Sequence, residues 1–296
     1  MLSILIPTYN YNVFTLVCEL HKQCLYADIE FEIIVFDDGS ESELNIENDK
    51  INSLEKCKFE ILKKNIGRSA IRNLLAKSAI FDNLLFLDSD TLPLYDNFIT
   101  NYLYQINNDE KVVYGGIEYQ KNKPGKEQLF RWTYGTKREA LSLEKRGGNP
   151  YLSLLTLNFL IKKSVFEKIT FNEKIPNQRH EDTLFSYDLM QNKIKVSHIE
   201  NPVIHLGIDN FDIAIQKEKQ SVIALKNLID NHLISINYVG ISRVYHKIKK
   251  LKLCWFFSFT FKNTEQLFLK NLSSTNPSIY IFDIYRLGFL CSLNSK

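Results

Sequence analysis

The chain has 296 residues, 45% of them hydrophobic and 12% aromatic, with a formal charge of +3. That is ordinary globular composition, enough for one large domain or a domain with an appendage. No apolar run approaches the ~18 residues that a continuous membrane-spanning helix needs. The five cysteines, Cys18, Cys24, Cys57, Cys254 and Cys291, are odd in number and scattered. They read as reduced thiols of a cytoplasmic protein, without metal or redox roles. Met1 to Ile6 runs straight into Pro7 with no basic n-region, so no secretory signal is expected.

In chain order, Leu2 to Ile6 is a short apolar strand stopped by Pro7. Val13 to Gln23 has helical spacing, with Val13, Leu16, Val17 and Leu20 on one face. Phe31 to Phe36 is a second strand, ending at Asp37-Asp38-Gly39-Ser40, and Phe59 to Leu62 is a third. After the turn Asn65-Ile66-Gly67 a helix follows, with Ala70, Ile71, Leu74 and Leu75 inward. Asn83 to Leu87 reads as a buried strand and stops at Asp88-Ser89-Asp90. This alternation of continuous apolar strands with helices predicts a mostly parallel sheet covered on both faces. Ligands of such sheets bind beyond the carboxyl ends of the strands, where Tyr9, Asp37, Asp38, Asp88 and Asp90 all fall.

The middle is less regular. Val112 to Gly116 and Leu157 to Ile161 are expected strands, and Val165 and Phe166 begin a short helix. Gly147-Gly148-Asn149-Pro150 reads as a flexible break. A helix is expected over Glu181 to Gln191, then extended pieces at 196–199 and 203–205, then a long helix from Asp209 to about Ile236. From Arg243 onward nine basic side chains stand against two acidic ones, a net of +7, which leaves the first 242 residues at −4.

Two carboxylates emerging together at a strand end suit a hard divalent cation that also holds substrate phosphates. The bland alternative for Asp88-Ser89-Asp90 is a strand-end turn with an Asx bond. The order and spacing of Pro7-Thr8-Tyr9-Asn10, Asp37-Asp38-Gly39-Ser40, Asn65 to Asn73 and Asp88-Ser89-Asp90 resembles the family-2 group of inverting, nucleotide-sugar-dependent glycosyltransferases with the GT-A fold. His180-Glu181-Asp182 and Asn201-Pro202-Val203-Ile204-His205 extend the resemblance to about His205.

The resemblance implies an α/β GT-A catalytic domain over 1–208 and a helical, basic and aromatic extension over 209–296. It implies a nucleoside diphosphate sugar as co-substrate, with uridine the expected nucleoside. A divalent metal, Mn²⁺ or Mg²⁺, is expected on Asp90, Asp88 and His205. Pro7, Thr8, Tyr9, Asp37, Asp38, Arg68 and Asp88 are the expected nucleotide contacts, with Asp38 toward the base and Arg68 over the base or diphosphate. Asp182 is the expected general base, and Glu181 orients the acceptor. An inverting transfer is a single displacement and needs one base to deprotonate the attacking hydroxyl. Two acids in a first helical turn could instead merely complement the helix dipole. Arg72, on the same helix as Arg68, is expected to pair with an acid at the sheet edge. Asn158 and Trp132 are candidates to line the sugar and acceptor pocket.

The expected acceptor is a glycan or lipid-linked molecule, in surface polysaccharide or lipopolysaccharide assembly. Lys247, Lys249, Lys250 and Lys252 lead into Trp255, Phe256 and Phe257. Basic residues beside aromatics suggest an anionic membrane surface contacted through 243–262, hence a cytoplasmic protein peripheral on the inner face of the membrane. The competing reading is a helical extension packed on the body with its lysines solvated. No nucleic acid is expected, because the body is acidic and no reader module is visible. The alternatives are a sugar-nucleotide pyrophosphorylase, which would want a Gly-rich basic loop after the first strand, and a non-catalytic glycan- or nucleotide-binding relative. A receiver-like signalling domain would need an acidic pair after its first strand.

Overall fold

The computed structural model describes residues 1–176 and 179–293. Lys296, counted in the basic tail, lies outside the described residues. The chain separates into two compact units. The first takes in Met1–Gln120, the stretch from Ala140 onward and Glu181–Gly207; the second takes in Lys121–Glu139 and the chain from Ile208.

The first unit opens with β1 (Leu2–Thr8), α1 (Phe14–Tyr26), β2 (Phe31–Asp37), α2 (Leu44–Asn48) and β3 (Cys57–Ile61). It continues with α3 (Arg68–Ser78), β4 (Asn83–Leu87), β5 (Thr91–Pro93), α4 (Phe98–Leu103), β6 (Lys111–Tyr114) and β7 (Ile117–Tyr119). The chain then contributes α5 (Lys126–Arg138) to the second unit and returns with α6 (Leu143–Gly147), β8 (Asn158–Lys162) and α7 (Lys163–Lys168). The first unit ends with α8 (Glu181–Gln191), β9 (Lys195–His198) and β10 (Val203–His205).

Among the described residues seven strands form the main sheet in the order β3-β2-β1-β4-β8-β6-β9. β1 runs parallel to β2 and β4, β2 parallel to β3, and β6 parallel to β9; β8 is antiparallel to both its neighbours. The mostly parallel expectation therefore holds, with one reversed strand. A second sheet has the order β5-β10-β7.

Side-chain alternation along each strand builds two cores. Ile4 and Ile6 of β1, Ile33 and Val35 of β2, and Leu85 and Leu87 of β4 face α1 and α4. Leu5, Ile34, Leu84 and Phe86 point the other way, toward α3, α7 and α8. Phe86 stacks on Phe159 at 4.9 Å and on Phe166 at 5.2 Å. Each such fully buried side chain stabilises the fold by roughly 1.5–3 kcal/mol.

Two local expectations are corrected. The break expected over Gly147-Gly148-Asn149-Pro150 begins one residue later: Gly147 is the last residue of α6, which Ser142 caps through its side chain, and 148–150 form the turn that follows. Arg146 fixes that short helix, buried over the Tyr114 ring at 5.3 Å and donating to Ile199 O at 3.1 Å. The long helix expected to reach about Ile236 ends earlier. α9 spans Phe211–Asp230, because His232 adopts φ +57° and Leu233 N turns back to donate to Leu228 O.

The second unit is helical among its described residues: α5, α9, α10 (Gly240–Lys250), α11 (Cys254–Leu272) and α12 (Ile279–Ser292). Phe130 of α5, Ala214 and Ile215 of α9, Phe261 of α11, and Phe282 and Tyr285 of α12 share one core. α11 and α12 approach so closely that a Cβ on Gly288 would lie 2.9 Å from the Phe261 side chain. Among the described residues no helix is long and apolar enough to cross a membrane.

Candidate active site

The expected nucleotide contacts come together because β1, β2 and β4 are adjacent, parallel and in register. Thr8 lies opposite Asp37 in the β1–β2 ladder, and Asp38 N donates to Thr8 O at 2.9 Å. Pro7 and Thr8 close β1, with Thr8 buried and Tyr9 just beyond it half exposed.

The two adjacent aspartates after β2 do different things. Asp37 is wholly buried and accepts from Ser40 N at 2.7 Å and from Ser40 Oγ at 2.5 Å. It thereby fixes the turn. Gly39 in that turn has φ +71°, and a Cβ there would meet the Lys64 carbonyl carbon at 2.5 Å. Asp38 reaches across to the segment before α3, accepting from Ile66 N at 2.7 Å and Gly67 N at 3.0 Å. Burial raises the Asp38 pKa above the ordinary carboxylate value, against the pull of those two amide bonds.

Arg72 is the hub of the site. Its side chain is only 6% exposed, yet it donates to Asp88 Oδ1 at 2.7 Å and to Glu181 Oε1 at 3.4 Å. Burial works against the guanidinium charge, but Asp88 and Glu181 outweigh it and its pKa is raised. Arg68, one turn earlier on α3, is half exposed and lies 3.8 Å from the same Glu181 oxygen. Arg72 does pair with an acid, but Asp88 stands at the end of the interior strand β4 rather than at the sheet edge, and Arg72 also reaches the acid pair at the start of α8. Glu181 is buried, and Asp182 Oδ1 accepts from Thr183 N at 2.6 Å.

Asp90 occupies a second corner with His205. Its Oδ2 lies 3.4 Å from His205 Nε2, and its carbonyl accepts from Leu206 N at 2.8 Å. β10 places His205 opposite Thr91 of β5 and Tyr119 of β7. His205 Nδ1 is buried with no hydrogen-bond partner. Gly207 makes room for the carboxylate, since a Cβ there would lie 2.2 Å from Asp90 Oδ2. Tyr11 is also close: burial, then the Asp90 charge, raises its phenol pKa.

Among the described residues no three His, Cys, Asp or Glu side chains converge on one point. A carboxylate oxygen and an imidazole nitrogen within 3.4 Å of each other nevertheless fit a cation that takes its remaining ligands from phosphate oxygens. Asp88 commits one oxygen to Arg72.

Asn158 does not line a pocket. It is wholly buried, accepts from Tyr102 Oη at 2.7 Å, and donates to Gly116 O and Asn201 O. It ties strand ends together. Trp132 stands on α5 in the second unit. Gly207 and Tyr11 were not legible as site residues, because neither carries a chemical signal without its neighbour Asp90.

A family model described as Glycosyl transferase family 2 matches residues 3–170. Over 243 residues the chain is 25% identical to an uncharacterized glycosyltransferase of Haemophilus influenzae, covering 75% of this chain and 91% of that one. Among solved structures, S. aureus TarS 1-349 in complex with UDP-GlcNAc superposes with a TM-score of 0.53 at 16% identity, over 99% of this chain and 91% of that one. The mannosyltransferase PcManGT from Pyrobaculum calidifontis, in complex with GDP-Man and Mn²⁺, gives 0.57 at 11% identity, over 100% and 87%. At these identities the two structures speak for the fold alone. This chain belongs to glycosyl transferase family 2 and is a glycosyltransferase with the GT-A fold.

Proposed function

We propose that this protein transfers a sugar, with inversion, from a uridine diphosphate donor to a glycan or lipid-linked acceptor, with a divalent metal. The observation that carries this reading is the Arg72 bridge. One buried guanidinium holds the strand-end carboxylate of Asp88 and the helix-start carboxylate of Glu181, 93 positions later in the chain (181 less 88). The donor-side motif and the acid pair therefore belong to one site.

Pro7, Thr8 and Tyr9 wall the base, and Asp37 and Asp38 shape the nucleoside end. Arg68, exposed on the first turn of α3, meets diphosphate charge. Asp90 and His205 would hold Mn²⁺ or Mg²⁺, joined by the Asp88 oxygen that Arg72 does not engage, and the ion would supply charge neutralisation on the departing diphosphate. Asp182 takes the proton of the acceptor hydroxyl as its oxygen bonds to the anomeric carbon. The bond from that carbon to the diphosphate oxygen breaks in the same step, and the nucleoside diphosphate leaves with the electron pair. Glu181, held by Arg72 and Arg68, orients the acceptor.

The reading takes 1–208 as the catalytic domain and 209–296 as a helical extension, with Lys121–Glu139 lent by the first to the compact unit of the second. It places the protein in the cytoplasm, peripheral on the inner membrane face, in surface polysaccharide or lipopolysaccharide assembly. Support for the membrane contact through 243–262 comes from Leu251, Trp255, Phe256 and Phe259, all exposed and set among Lys247, Lys249, Lys250 and Lys252. The test is a panel of nucleotide sugars assayed for metal-dependent release of nucleoside diphosphate. Release from a uridine-linked sugar supports the reading; release only from other nucleotides, or without metal dependence, overturns the corresponding part.

A further inference from the structure

The second unit holds a cavity of about 930 Å³ that the transfer reaction does not use. Five cationic side chains line it, Arg138, Arg243, Lys247, Lys250 and Arg286, against one carboxylate, Asp283. The two arginines from outside α10 are already compensated. Arg138 is paired with Asp283, and Arg286 Nε lies 3.6 Å from Glu218. Arg243, Lys247 and Lys250 have no ion pair among the described residues. They recur at helical spacing along one face of α10, so their charge adds up on one wall.

The same cavity takes in the start of α10. Val239, its N-cap, provides no side-chain cap, and Val239, Gly240 and Ile241 all line the space. A Cβ added to Gly240 would meet nothing nearer than Arg243 Nη2 at 3.8 Å. The open first turn therefore presents amide donors beside Arg243, an arrangement that favours a phosphate. Besides the polar Asn237 and His246, the remaining side chains of the wall are apolar. Val244 and Ile284 are exposed hydrophobics that border the cavity, and Leu287 lies beside them.

We propose that this cavity binds an anionic phospholipid. The first turn of α10, Arg243 and Lys247 hold the headgroup phosphate, and Val244, Ile284 and Leu287 receive the start of the acyl region. A free phosphate or sugar phosphate would satisfy the cations and leave the apolar wall in water; a lipid satisfies both. The proposal rests on the membrane contact read above and sharpens it from a diffuse basic surface to one site.

The test uses the full chain and co-sedimentation with phosphatidylcholine vesicles, with and without phosphatidylglycerol. Two double variants each remove two positive charges from the same region. Arg243→Ser/Lys247→Ser removes two of the three lining cations that have no ion pair, the two assigned to the phosphate; Lys249→Ser/Lys252→Ser alters exposed lysines that do not line the cavity. Diffuse attraction scales with charge count, so it predicts equal losses. The lipid site predicts that the cavity pair loses at least about tenfold more affinity than the control pair, because charge-assisted hydrogen bonds are lost as well. Circular dichroism melts and donor hydrolysis verify that both variants fold. Equal losses overturn the site and leave the membrane contact standing. Failure of the native protein to sediment with phosphatidylglycerol vesicles overturns both. A thermal shift with inorganic phosphate, abolished by the cavity pair in a protein that ignores vesicles, assigns the cavity to a free phosphate and overturns the lipid.

Discussion

Arg72 donates to Asp88 Oδ1 at 2.7 Å from a side chain that is almost wholly enclosed. A guanidinium can be desolvated this way only where carboxylates repay the cost, and here Glu181 provides the second one. The pair sets the orientation of Asp88 and ties the end of β4 to the first turn of α8.

Arg72→Leu takes from Asp88 its ion-pair partner and leaves Glu181 only the half-exposed Arg68. Breaking one side of a buried ion pair costs about 3–5 kcal/mol, and urea unfolding will show a loss in that range or somewhat below, since Asp88 is a third exposed. Arg72→Lys keeps the charge but cannot span both carboxylates with a planar fork. It will be milder in stability and still poor in transfer. A variant with unchanged stability and rate would remove Arg72 from the hub.

Gly207→Ala forces the Asp90 carboxylate to move, because the new methyl would sit 2.2 Å from Oδ2. The carboxylate is a side-chain end, so stability will change little. Metal-dependent binding of UDP, measured by calorimetry with Mn²⁺, will weaken in Gly207→Ala and vanish in Asp90→Ala. Unchanged affinity in Asp90→Ala would take that residue out of the metal site.

Asp182→Asn keeps the shape and removes the basic charge. A general base acts only as the acceptor hydroxyl attacks, so it contributes to the transition state more than to donor binding. Transfer in single turnover will fall by roughly 10²-fold or more, with UDP affinity near that of the native protein. Glu181→Gln will cost less in transfer and more in stability, since Glu181 answers Arg72. The reverse pattern of rates would exchange the two roles.

His198 gives the fold a pH dependence with a definite sign. Burial lowers its pKa below the ordinary 6.5, the hydrogen bond it donates to Pro150 O raises it, and Arg146 lowers it again. The native state favours the neutral ring. Its contribution is complete above the unfolded value and is lost as pH falls through about 6.5 toward the lower folded value. Denaturant midpoints will drop between about pH 7.5 and 5, and His198→Gln, which retains a donor for Pro150 O, will flatten that part of the profile. An unaltered slope in His198→Gln would assign the acid loss to other groups.

The local chemistry was legible in the sequence because it is local. Short continuous apolar runs such as Ile33 to Phe36 and Leu84 to Leu87 read as buried strands by their length and by the turn residues after them, which puts the acids that follow at strand ends. Gly39 marks its turn by the positive φ that it alone adopts cheaply. What the tertiary structure decided depends on residues far apart in the chain. Arg72 and Glu181 are 109 positions apart; nothing in either segment names the other. Gly207 matters only through the carboxylate it leaves room for, and Asn158 reads as a pocket amide until its partners Tyr102 and Asn201 are placed around it. The segment 121–139 looks like part of the catalytic half, yet its helix α5 shares the core of Phe282 and Tyr285. Pattern and turn chemistry are set by neighbours in sequence, whereas ion pairing and burial are set by neighbours in space, and only folding makes the second kind.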